Sequence, residues 1–266
     1  MRFCVLGSGS KGNATYVTAG GRALLIDNGF SGVEIERRLA SIGVEPGSLD
    51  AILLTHAHAD HIKGAAVLAR KYNLPIHANK GTIAASAKTF GLVPALHEFL
   101  TGSSFNLHDF LIHPFAVSHD CVDPVGFVIE NGSSSLGYCT DTGMVSRLIQ
   151  HRLTGCHGLI IECNHDPLML KNGPYPPHLK QRVRSRHGHL ANEDAARFIS
   201  ELLHAGLQHV VLAHISETNN DPALAYETVA AMVTAGQFNS IAISLSWQDK
   251  VGTMVSLAGS AEHGEY

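Results

Sequence analysis

The chain has 266 residues, 45% of them apolar, enough to bury a sizeable core, which excludes a disordered tail or a disulfide-stapled miniature. Lys and Arg total 19 against 23 Asp and Glu, a formal charge of -4, so no global basic field marks a nucleic-acid partner and any polyanion site must be local. The five Cys (Cys4, Cys121, Cys139, Cys156, Cys163) are odd in number and lack C-x-x-C spacing, against a disulfide framework or thiolate zinc site and for a reducing compartment; the unusual abundance is that of His, 18 in all.

At the N-terminus the only apolar run, 3–6, is too short for a signal-peptide core, and no later run reaches the roughly 18 apolar residues of a membrane span, so a soluble, cytoplasmic protein without a membrane partner is expected. Short apolar runs at 2–6, 15–18 and 22–26 predict an opening β-meander. Ser31 and Glu34 form a capping-box pair, Val33, Ile35, Leu39 and Ile42 follow as the apolar positions of a helix, and Gly43 supplies its stop. A buried strand is predicted at 51–54, then a helix over 62–72, a strand at 75–77 and a short helix over 80–88. Strands at 111–117, 126–129 and 135–138 form a second β-rich group. Another buried strand, 158–161, leads into a segment rich in Pro and base. Asn192, with Glu193 and Asp194 in the first turn, opens a helix ending near Gly206, and 210–213 is again a buried strand. Asp221-Pro222 starts a last helix to about Ala235, and strands near 240–244 and 253–257 follow. Two β-rich groups, each followed by helices, predict an α+β chain of paired sheets covered on their outer faces, a four-layer αββα sandwich, and no linker or repeat divides residues 1–266 into more than one domain.

The strongest signal stands behind the strand at 51–54: Thr55-His56-Ala57-His58-Ala59-Asp60-His61. In an extended segment His56 and His58 point to one side, while the turn into the next helix aims Asp60 and His61 elsewhere, a spacing that suits two adjacent ions. Imidazole with carboxylate favours Zn, Mn or Fe over Ca or Mg.

His56-x-His58-x-Asp60-His61 resembles the signature of the metallo-β-lactamase superfamily. Other strand-end residues match its remaining motifs in order: Asp27 after Leu24-Leu25-Ile26, His119 after Phe115-Ala116-Val117, Asp141 in Tyr138-Cys139-Thr140-Asp141-Thr142-Gly143, and His214 after Val210-Val211-Leu212-Ala213. The resemblance implies an αββα fold and two divalent ions. His56, His58 and His119 would hold one, Asp60, His61 and His214 the other, and Asp141 would lie between them. Asp27 would orient a ligand histidine through its other ring nitrogen. With a bridging hydroxide such a centre is electropositive and suits an anionic ester; Asp60 would orient that hydroxide.

Glu162-Cys163-Asn164-His165-Asp166, Gly188-His189-Leu190 and His214-Ile215-Ser216 resemble tRNA 3′-end processing nucleases, in which a Glu and a His beyond the metal ligands assist proton transfer to the leaving oxygen. Glu162 and His189 stand at those positions, with a strand-end salt bridge and a helix cap as the alternative reading of the two. Lys180, Arg182, Arg184 and Arg186, with no acid among them, read as an extended basic strip for phosphates or as a solvated charge run. Ser8, Ser10, Lys11 and Asn13 in the Gly-rich stretch 7–13 offer phosphate donors or make only a hairpin turn. With Tyr175-Pro176 and Glu217-Thr218-Asn219-Asn220 added, nearly the whole chain is similar to the YycJ/WalJ-like branch of the superfamily, which implies a 5′ to 3′ exonuclease with double-stranded DNA as partner and substrate. Ala191 departs from the Gly-His-Leu-Ser-Asn pattern expected there. A ribonuclease of the RNase Z type, a small phosphoester or thioester hydrolase, and an inactive metal-binding regulator remain the alternatives.

Overall fold

The structure is a computed structural model that describes residues 1–132 and 134–259. The opening apolar runs form an antiparallel meander, β1 (Arg2–Gly7), β2 (Ala14–Ala19) and β3 (Arg22–Ile26), which continues in parallel through β4 (Ala51–Leu53), β5 (Pro75–Asn79) and β6 (Ala95–Phe99). Helices α1 (Gly32–Ser41), α2 (Ala59–Ile62), α3 (Ala65–Tyr72) and α4 (Lys80–Phe90) connect these strands. The second sheet starts antiparallel with β7 (Phe105–Leu107), β8 (Phe110–Ala116), β9 (Val125–Asn131) and β10 (Ser134–Cys139). It continues in parallel with β11 (Gly158–Glu162), β12 (His209–Ala213) and β13 (Ala242–Leu245). Its connections hold α5 (Arg147–Leu153), α6 (Pro167–Asn172), α7 (Pro177–Val183), α8 (Asn192–Glu201) and α9 (Pro222–Ala235). The last strand, β14 (Val255–Ser256), returns to pair with β1, giving sheet orders β14-β1-β2-β3-β4-β5-β6 and β13-β12-β11-β10-β9-β8-β7.

The side-chain period of two sorts each strand between layers. In β3, Leu24 and Ile26 join Phe110, Phe127 and Ile160 in the core between the sheets, while Leu25 packs with Ile35, Leu39 and Leu68 of α1 and α3. In β11, Ile160 faces the first sheet, and Leu159 and Ile161 pack with Phe198 of α8 and Val229 of α9. Three apolar seams between four layers make the αββα sandwich. Among the described residues no helix is long and apolar enough to cross a membrane.

Several local expectations are corrected. Ser31 caps the Glu34 amide (3.3 Å), but the Glu34 carboxylate turns to Arg37 and Arg38, so only half of the capping box forms. Val33 is 80% exposed, and its place on the inner face of α1 is taken by Arg38, whose guanidinium donates to Leu6 O and lies 4.0 Å from the centre of the Phe30 ring. The helix expected from 62 begins at Ala59 and breaks at Gly64, whose backbone lies against Phe30 O. The basic segment expected to be extended is helical at Lys180 and Arg182, because Pro177 sits at the first position of α7, where its missing N–H is no loss. Helix α8 ends at Glu201, short of Gly206, and its cap is Ala191; the Asn192 amide instead pairs with Asn220 (2.8 Å). Helix α5, capped by Ser146 on the Ile149 amide, was not anticipated.

A Cβ at position 64 would meet Phe30 O at 1.8 Å. Gly64→Ala is therefore expected to destabilise the fold by about 1–3 kcal/mol, read from the urea midpoint. His77 stacks on His97 (ring centres 4.8 Å apart), and burial, then His97 and His108, push its pKa from 6.5 down to about 4. The unfolded chain takes up this proton first, so the stability His77 contributes is full above pH 6.5 and is lost as pH falls toward 4. Urea midpoints measured between pH 7 and 5 are expected to drop less in His77→Phe than in the wild type.

Candidate metal centre

Side chains from both sheets meet where their strands end. Asp27 follows β3, the segment 55–58 leads from β4 into α2, Asp60 and His61 lie in that helix, His119 stands beyond β8, Asp141 beyond β10, Glu162 ends β11 and His214 follows β12. Asp27, Asp141 and His214 turn the chain through the left-handed region, with φ of 59°, 55° and 55°. Such backbone costs on the order of 1–3 kcal/mol per residue and persists where surrounding contacts impose it.

Four overlapping groups have ligand atoms within 4.8 Å of one another: His56, His58 and His119; His56, His61 and Asp141; Asp60, His61 and His214; and Asp141, Glu162, His189 and His214. His119 Nε2 is 3.3 Å from His58 Nδ1. His61 Nε2 lies 3.4 Å from Asp141 and 3.5 Å from Asp60, and His214 Nε2 lies 3.6 Å from Asp141 and 3.8 Å from Asp60.

Buried carboxylates hold these rings. Asp27 Oδ2 accepts from His61 Nδ1 and Thr55 Oγ1, both at 2.8 Å, and Oδ1 accepts the Thr55 amide at 2.9 Å, leaving His61 Nε2 turned to Asp60 and Asp141. Glu162 Oε1 lies 2.7 Å from His189 Nδ1 and 3.0 Å from His214 Nδ1, while Oε2 accepts the amides of Thr142 and Leu190. His119 Nδ1 faces Gly188 O at 3.2 Å.

The buried carboxylates draw positive charge toward the histidines between them. Burial alone would disfavour protonated His61 and His214, yet the surrounding carboxylates, Asp141 foremost, outweigh it and raise His61 well above its ordinary range and His214 to about 10. Burial would likewise raise Asp60 and Asp141, but the adjacent histidines hold both low. Desolvation, then His61, keeps His56 neutral. His56 Nε2, His214 Nε2 and Asp141 Oδ2 are buried with no hydrogen-bond partner. Orphaned lone pairs on imidazole and carboxylate, beside groups that demand positive charge, fit a borderline divalent cation.

The other expected site residues separate. Ser8 and Asn13 are buried and occupied: Ser8 Oγ donates to Asn13 Oδ1 and accepts the His214 amide, both at 2.9 Å, and Asn13 Nδ2 lies 3.0 Å from His61 Nε2 and 3.3 Å from Asp60. They fix the centre instead of offering donors to phosphate. Ser10 and Arg182 line a cleft of about 160 Å³ beside His119, His189 and His214, but Lys11 pairs with Glu217 (2.6 Å) outside it. Lys180 donates to Lys171 O, and Arg184 and Arg186 are exposed outside the cleft lining, so the four bases do not form one strip. Sequence reasoning missed Asp120, which bonds Arg182 and lies 3.5 Å from His119 Nε2 and 3.7 Å from His58 Nε2; its signal was a carboxylate directly after His119. It also missed Thr55 as a partner of Asp27, and Asn164, which donates to His214 O at 2.8 Å.

Residues 22–215 match the family profile described as a β-lactamase superfamily domain. The chain is 37% identical over 235 residues to exodeoxyribonuclease YycJ of Bacillus anthracis, spanning 88% of this chain and 89% of that one. It is 40% identical over 233 residues to exodeoxyribonuclease WalJ of Streptococcus pneumoniae, spanning 86% and 87%. This chain belongs to the metallo-β-lactamase superfamily, in its YycJ/WalJ branch. In fold, the superfamily protein YhfI of Bacillus subtilis superposes with a TM-score of 0.72 at 19% identity over 96% of this chain and 99% of its own. For this metallo-β-lactamase-fold chain, zinc or manganese added to metal-free protein is expected to raise Tm. Asp27→Asn, which weakens the carboxylate behind His61, is expected to lower metal affinity about 10- to 100-fold by isothermal titration.

Proposed function

We propose that this protein is a metal-dependent exodeoxyribonuclease that hydrolyses duplex DNA from 5′ ends in the cytoplasm. The observation that carries the reading is Glu162 held at once against His189 and His214, which sets His189 beside the candidate ligands and within the cleft. The names of the relatives, exodeoxyribonucleases along nearly the full chain, support the substrate class. The five cysteines, none in a disulfide, accord with a reducing compartment.

In this reading His56, His58 and His119 would hold one divalent ion and Asp60, His61 and His214 a second, with Asp141 as a ligand available to either and Zn, Mn or Fe suited to the donors. Such ions, when bound, supply a water activated at neutral pH and offset charge on the phosphoryl oxygens. Asp60 accepts a hydrogen bond from the attacking water and orients it toward phosphorus. As the new P–O bond forms and the ester P–O bond breaks, His189 Nε2, which has no hydrogen-bond partner among the described residues, gives its proton to the leaving oxygen. Glu162 holds Nδ1 of the same ring and so fixes its direction. Asp120 seats Arg182 at the cleft, where its guanidinium meets a backbone phosphate.

Metal-loaded protein given 5′- or 3′-labelled duplex DNA is expected to release the 5′ label as mononucleotide first. Preferred cleavage of a tRNA precursor or of a small phosphodiester would favour the rival hydrolases. His189→Ala is expected to slow DNA hydrolysis about 10²- to 10⁴-fold at unchanged metal content. Equal turnover by variant and wild type would sink the assignment of His189 as the proton donor.

A further inference from the structure

Ile215 and Ser216, directly after His214, line both the metal cleft and an adjoining cavity of about 280 Å³. Its other walls include Pro222, Ser246 and Trp247. Trp247 is the only tryptophan of the chain and is half-buried, with the Lys250 ammonium 4.9 Å from its ring centre. Ser8 ties this segment to the metal centre: its amide donates to Trp247 O (3.0 Å), and its hydroxyl accepts the His214 amide (2.9 Å). Gln248 adds a second tie, accepting the Lys11 amide (2.7 Å) and donating to Gly12 O (3.0 Å). The hydrolysis described above uses none of these indole contacts.

Ser246 stands beside the indole, 3% exposed, and its Oγ has no hydrogen-bond partner. The edge of a base brings the donors and acceptors that such a hydroxyl lacks. Glu217, its carboxylate paired with Lys11, and Asp249 complete the walls, and an uncharged planar ring with amino and carbonyl groups can stack on Trp247 and bond Ser246.

We propose that this cavity receives the base of a nucleotide next to the scissile phosphate, stacked on Trp247 and hydrogen-bonded by Ser246. The inference rests on the nuclease reading and deepens it: the enzyme grips a base as well as the backbone. A base can reach the indole only after leaving the duplex stack, which is easiest at an end. Every base has a π-face, so this subsite senses that a base is present and tolerates its identity.

Because Trp247 is the single tryptophan, its emission reports on this cavity alone. Metal-loaded protein is titrated with a duplex whose terminal linkages are hydrolysis-resistant phosphorothioates, while anisotropy of a label at the far end follows binding independently. Tryptophan emission is expected to change in step with anisotropy. An abasic residue at one of the first few positions from the 5′ end is expected to weaken binding about tenfold or more in the wild type, and to make no difference in Trp247→Ala. Anisotropy that rises while emission stays constant, or an abasic penalty that persists in Trp247→Ala, overturns the base subsite and leaves the nuclease reading standing. Absence of both DNA binding and DNA hydrolysis removes both. Where circular dichroism shows Trp247→Ala to be misfolded, the wild-type emission titration and Trp247→Phe, which keeps a smaller ring, decide the outcome.

Discussion

Buried carboxylates facing buried imidazoles are the constraint around which the molecule is arranged. Asp27, Asp141 and Glu162 have 3% exposure or less, and charge at that depth is tolerated only when it is matched at short range. Each carboxylate has its match: Asp27 in His61 and Thr55, Glu162 in two histidines and two amides, and Asp141 in His61 and His214. The left-handed turns at Asp27, Asp141 and His214 swing side chains from the strand ends toward one another, and the packing of the sandwich sustains their cost. Close backbone approaches tighten the same region. A Cβ at Gly29 would meet Asp60 O at 1.7 Å, and one at Gly188 would meet Val183 O at 2.2 Å, so glycine allows both the Asp60 turn and the His189 loop to seat.

What could be read from the sequence follows from how local each feature is. The segment 55–61 carries its meaning within seven consecutive residues, and Asp27, Asp141 and His214 each stand behind an apolar run, so strand prediction and ligand chemistry point to the same places. Features made by distant partners were hidden. Arg182 looks like a free base until Asp120 is brought beside it, and Lys11 looks like a phosphate donor until Glu217 pairs with it. Alternating bases suggested an extended strip at 180–186, but Pro177 is pre-organised for a helical start and α7 separates the side chains. Ser8 and Asn13 stand in a Gly-rich stretch that suggests anion binding, and burial converts both into internal braces. Nothing local distinguished Trp247 from a core aromatic; its significance comes from lying across a shared wall from His214.

The same layout separates chemistry from recognition. Candidate ligands sit just beyond strand ends and on the helix that follows β4, elements whose placement the packed sheets fix, which suits groups that must hold ions precisely. The walls of the cleft and the adjoining cavity draw on α7, the 215–220 loop and the 246–249 loop, connections that can vary while the sheets stay unchanged. A fold-level likeness at 19% identity therefore says little about substrate.

The division of this centre between two sheets also bears on what completes it. The first sheet contributes Asp27 and the 56–61 segment, and the second contributes His119, Asp141, Glu162 and His214, the last of them four-fifths of the way along the chain. A chain ending before β12 lacks His214, a member of two of the four candidate groups. Neither sheet alone carries the full set of candidate ligands, so the cluster is a product of the closed sandwich and of no single layer.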